Sequence, residues 1–62
     1  MNKKLKAKII EVFGSQGDFA HRIRAHESDV SRIVRGRKSL SEKEKKRWAS
    51  VLGCNPEELF LN

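Results

Sequence analysis

Apolar residues recur along this chain in short blocks at helical spacing, each block closed by a glycine or a polar turn. Leu5, Ile9, Val12 and Phe13 follow at steps of four, three and one, which lines one face of a first helix that Gly14 ends. Ser15-Gln16-Gly17-Asp18 reads as a fresh helix start, with Ser15 as N-cap and Asp18 at the third helical position. Phe19, Ala20 and Ile23 supply the buried face of this short second helix, and Arg24-Ala25-His26 forms a turn. A third helix is predicted from about Glu27 to Arg35, with Val30, Ile33 and Val34 facing inward and Gly36 stopping it. Its acids, Glu27 and Asp29, come first and its bases, Arg32 and Arg35, come last, an order that suits the helix dipole.

Ser41 with Glu44 three places on forms a capping box that opens a fourth helix running to about Leu52. The first half of that helix is wholly polar, so only Trp48, Ala49, Val51 and Leu52 can anchor it. Gly53 closes it, and Asn55-Pro56-Glu57-Glu58 starts a last helical turn with proline at its first position. Leu59 and Phe60 then face either the core or a partner. The pattern predicts an all-α fold, a compact bundle of four to five short helices with no strand, in a single domain over residues 1–62.

Length and charge narrow the function. A 62-residue chain hides only roughly 60% of the surface its unfolded form exposes, which leaves a thin core and little room for a buried catalytic cleft. The expectation is a protein that is not an enzyme. Fourteen Lys and Arg against eight Asp and Glu give a net charge of +6, which calls for a polyanionic partner, nucleic acid or an acidic membrane surface. The bases gather at Lys3, Lys4, Lys6 and Lys8 and again between Arg32 and Arg47. No apolar run approaches the roughly 20 residues that span a bilayer, and no signal-peptide pattern follows the basic start. The single cysteine, Cys54, cannot form an internal disulfide, which fits a reducing, cytoplasmic setting.

Two short helices joined by a three-residue turn, the second flanked by arginines, make a helix-turn-helix unit over about residues 16–35. The major groove of B-DNA, about 12 Å wide, admits one such helix. The residues agree with a family. Gln16-x-x-Phe19-Ala20-x-x-Ile23, then Ser28-x-Val30-Ser31-Arg32-Ile33-x-x-Gly36, resembles the lambda-repressor/Cro-like (XRE) helix-turn-helix family. Trp48-Ala49-x-x-Leu52-Gly53 and Pro56-Glu57-Glu58-Leu59-Phe60 are similar to that family's fourth and fifth helices, and the register runs without a gap from Gln16 to Phe60.

The resemblance implies a sequence-specific double-stranded DNA-binding transcriptional regulator, a repressor of the Cro type from a phage or prophage or the N-terminal domain of a longer repressor. It would act as a dimer, at least on DNA, at a palindromic operator, with no cofactor and no small-molecule ligand. It assigns base reading to Glu27, Ser28 and Arg32, with Asp29 and Ser31 nearby. Gln16 would clamp a phosphate, and Arg35, Arg37 and Lys38 would lie along the DNA backbone, with Arg24 and His26 as further phosphate-facing positions. Arg32 can fork onto guanine O6 and N7, or contact a phosphate instead; Glu27 can accept from cytosine N4, or merely stabilise its helix N-terminus. Dimer contacts are placed at Leu59, Phe60 and Leu61, then at the exposed side of Trp48.

The chain departs from the family pattern at several positions. Arg24 stands where a turn glycine is usual, so a left-handed conformation there carries roughly 1–2 kcal/mol of strain unless the turn differs. His26 replaces a Ser/Thr cap, Leu40 a proline, and Glu42 and Lys45 stand at apolar positions. The fourth helix is therefore expected to enter later or lean outward. His21, His26 and Cys54 lack metal-site spacing. Two other functions are open: membrane-surface binding by a basic amphipathic first helix, and a protein-interaction role of the antitoxin or anti-repressor kind on the same fold.

Overall fold

The computed structural model describes residues 1–60 and consists of five helices: α1 Lys3–Phe13, α2 Gln16–Arg22, α3 Glu27–Val34, α4 Glu42–Leu52 and α5 Pro56–Phe60. No strand occurs among the described residues, so the chain is an all-α bundle. Local chemistry sets most of the helix ends. Ser15 Oγ accepts from Asp18 N at 3.0 Å and Ser41 Oγ from Glu44 N at 3.2 Å, each satisfying an orphan donor of the first turn. Arg35 caps α3 at its C-terminus and Gly36 takes the left-handed conformation, with φ of 79°. Gly36 N then donates to Ile33 O and Arg37 N to Arg32 O, which satisfies two carbonyls left open by the end of α3.

The helices close around one apolar cluster. Leu5 and Ile9 from α1, Phe19 and Ala20 from α2, Val30, Ile33 and Val34 from α3, Trp48, Ala49 and Leu52 from α4 and Leu59 from α5 are all buried, as is Ile23 in the turn. Helix α1 packs against each of the other four. Three aromatic rings run through the cluster. Phe13 meets Phe19 at a centroid separation of 5.3 Å, and Phe19 meets Trp48 edge-on at 5.0 Å, the tilted arrangement that ring quadrupoles favour.

Two expectations change here. Val12, predicted on the inward face of α1, is exposed. Val12 lies only about 20° around α1 from buried Leu5, at the edge of the inward face, and that edge of the last turn is left uncovered, while Phe13 on the other edge meets Phe19. Trp48, predicted to anchor α4 with an exposed side for a partner, and Leu59, predicted to face the core or a partner, are only 3% and 5% exposed, so both take the core position. A core this thin needs every large apolar side chain of the polar-fronted α4 and the short α5, so neither residue offers a surface to a partner. Phe60 is half-buried and packs on the core, while Leu61 lies outside the described residues. Helix α4 begins directly after Ser41, and its buried residues all fall in its second half.

Candidate nucleic-acid interface

The unit formed by α2, its turn and α3 is held by backbone hydrogen bonds that require an unusual residue conformation. Arg24 has φ of 59°, alone among the described non-glycine residues in being positive. With Arg24 left-handed, its N–H reaches His21 O at 3.2 Å and Ala25 N reaches Ala20 O at 2.9 Å, closing α2 as a glycine would. The turn is therefore left-handed at Arg24, and the strain of about 1–2 kcal/mol falls on an arginine whose side chain is exposed. His26 then occupies the N-cap of α3 with no side-chain hydrogen bond to the helix.

Helix α3 buries Val30, Ile33 and Val34 and so commits the opposite side to solvent. At about 100° per residue, Ser28, Arg32 and Arg35 lie within roughly 60° of one another on the side away from Val30. All three are exposed; Ser31 and Asp29 flank them and are half-buried. The predicted base-facing group is thus brought together at Ser28 and Arg32, with Arg35 joining from the predicted backbone group.

Glu27 does not join that stripe. Its carboxylate lies over the first turn of α2, where a Cβ added to Gly17 would stand 3.3 Å from Glu27 Oε1. Gly17 leaves the space into which this carboxylate fits. Glu27 itself remains exposed.

Asp29 organises the cations beside the stripe. Its Oδ1 is 3.5 Å from Arg32 Nη1 and 3.8 Å from Lys38 Nζ, so one carboxylate bridges α3 and the α3–α4 loop. These pairs are largely solvated and contribute little to stability. Their effect is orientation, because both cations are held toward one edge of α3. Arg24, His26, Arg35, Arg37 and Lys38 are all exposed, and they ring the two ends of the helix. Gln16 is half-buried as the first residue of α2.

Two residues that position this surface escape a reading of the sequence. Arg47 of α4 donates from Nη2 to Ile23 O at 2.6 Å, tying the α2–α3 turn to α4. Nothing local marks it, because its partner lies 24 residues away. Asn2 accepts from Leu5 N at 3.0 Å and so caps α1, while its Nδ2 donates to Leu59 O and its backbone N–H to Val34 O, both at 2.6 Å. Here a signal existed: an Asn ahead of the first apolar residue is a good N-cap, although its links to α3 and α5 have no local trace.

Cys54 is half-buried, and burial, with the Glu58 carboxylate nearby, pushes its thiol above the usual range. A thiol so placed stays protonated at neutral pH and is a poor nucleophile. Among the described residues no three of His, Cys, Asp and Glu come together to hold a metal ion, and no helix is long and apolar enough to cross a membrane. No protein-family model, curated protein or solved structure matches the chain.

Proposed function

We propose that this chain is a sequence-specific, double-stranded DNA-binding transcriptional regulator of the helix-turn-helix kind, working in the cytoplasm as a repressor. The observation that carries the reading is the outward stripe of α3, Ser28, Arg32 and Arg35, with exposed cations at both ends of the helix. An eight-residue helix is about 12 Å long and presents one or two turns to the groove floor. Arg32 would fork onto a guanine, and Arg24, Arg37 and Lys38 would hold the flanking phosphates. So short a helix reads only a few base pairs, so useful specificity calls for two copies on half-sites about one helical turn apart. Repression would be steric, by occupying the site.

Selection from a random double-stranded DNA pool at two salt concentrations tests this. A palindromic motif enriched at the higher salt is the expected result, and Arg32→Ala should relax one position in each half-site. Weak binding without a motif, lost as salt rises, would mean charge attraction alone and would sink the proposal.

A second reading has one observation in its favour. The exposed large apolar residues include Ile10 and Val12, which lie on α1 and not on the α3 stripe. A protein-interaction module of the antitoxin or anti-repressor kind would use such a surface, and Ile10→Lys would then abolish partner capture while leaving any DNA motif intact.

A further inference from the structure

The lysines at the start of the chain take no part in the DNA contacts proposed for α3, yet the fold carries them to the α3–α4 loop. The N–H of Asn2 donates to Val34 O at 2.6 Å, which pins the entry of α1 to the end of α3. A cavity of about 460 Å³ opens between these segments, and Lys3, Lys4, Lys38 and Lys45 all border it. Gly36 lies on its wall, and a Cβ built there would stand 3.9 Å from the Met1 nitrogen. No Asp or Glu borders it among the described residues.

We propose that this cleft takes a phosphate of the DNA backbone beyond the stretch met by α3, an inference that rests on the DNA-binding reading. Four lysines from three separate segments line one opening whose lining holds no carboxylate, which makes it a site suited to an anion. Lys38 and Lys45 have carboxylate neighbours, Asp29 at 3.8 Å and Glu42 at 3.4 Å, while Lys3 and Lys4 form no ion pair among the described residues. A phosphodiester is the anion that fits the rest of the surface. Lys38 belongs both to this cleft and, through Asp29, to the Arg32 edge of α3, so a strand running past Arg32 and Lys38 continues toward Lys3 and Lys4. The cleft would lengthen the footprint without adding sequence preference, because phosphate contacts carry no base information.

The test compares the wild type with K3Q/K4Q and with K6Q/K8Q, which removes the same charge from α1 outside the cleft. Affinity for a duplex from the random pool is measured against salt, with helicity checked by circular dichroism. Each phosphate contact contributes roughly 0.9 to the slope of log K against log salt, so K3Q/K4Q should flatten it by about 1–2 while K6Q/K8Q leaves it near wild type. K3R/K4R should restore the slope. Equal flattening in both glutamine variants, or none in either, overturns the cleft and leaves the α3 reading standing. Inorganic phosphate shifting the amide resonances of residues 2–4 and 36–38, with DNA affinity untouched by K3Q/K4Q, assigns the cleft to a free anion and also overturns it. A wild type that binds no DNA at low salt overturns both readings.

Discussion

The guanidinium of Arg47 on α4 holds the carbonyl of Ile23 at 2.6 Å, so the turn between α2 and α3 is fixed by a residue from outside the unit it joins. The same Arg47 approaches Glu44 at 3.3 Å, which steadies it along α4. Arg47→Met keeps most of the stem and removes the donor. We expect a loss of about 1–2 kcal/mol in chemical denaturation, in the range of hydrogen bonds to charged groups. Amide exchange at Arg24 and Ala25 should speed up. Unchanged exchange there would show that the turn holds itself.

Arg24 stores strain that glycine would release. Arg24→Gly should raise stability, by about 0.5–1 kcal/mol, because relief of the left-handed penalty exceeds the extra unfolded-state freedom of glycine. On the proposed DNA surface the same change removes a cation, so DNA affinity should fall and its salt dependence should weaken. A more stable variant with unaltered DNA binding would place Arg24 away from the phosphates.

Asp29→Asn separates orientation from stability. Its pairs with Arg32 and Lys38 are solvated, so thermal stability should move by less than about 0.5 kcal/mol. Loss of a negative charge beside the α3 stripe should tighten binding to DNA of any sequence, and freeing Arg32 should blur the selected motif. If affinity for random DNA does not rise, Asp29 does not border the DNA.

Asn2 joins α1, α3 and α5 through four hydrogen bonds, two of them made by its side chain. Asn2→Ala removes the N-cap and the donor to Leu59 O, and should cost about 1–2 kcal/mol in a urea melt. Asn2→Asp keeps the cap but lacks that donor, and should recover only part of the loss. Equal melts for the two variants would assign the whole effect to the contact with α5.

Cys54 sets a pH dependence. Its thiol holds its proton more tightly in the folded chain than in the unfolded one, chiefly because burial disfavours the thiolate. The stability linked to this proton is complete below the ordinary thiol range and is lost as pH rises through the raised value. Wild type should therefore lose stability at alkaline pH relative to Cys54→Ala, and alkylation near neutral pH should be slower than for an unfolded control. Alkylation as fast as the control's would place the thiol in water.

The chemistry that neighbours along the chain impose on each other is legible in the sequence by itself. Ser15 and Ser41 cap the helices they precede and Gly36 stops α3, because each of these depends on backbone groups within a few residues, whereas the left-handed turn at Arg24 was left open by the sequence and decided by the structure. The polar side of α3 is legible in the same way: once Val30, Ile33 and Val34 are inward, the 100° step sends Ser28 and Arg32 outward. Contacts between distant segments decided the rest. Between core and partner, Leu59 and the second side of Trp48 went to the core because the bundle lacked other large side chains to fill it, while Val12 was left uncovered at the edge of α1's inward face. Glu27 was drawn to the gap left by Gly17, Arg47 to a carbonyl in the turn, and Lys3 and Lys4 to the side of Lys38. Periodicity states which way a side chain points from its own helix. Only the packing of helices against one another determines what it meets there.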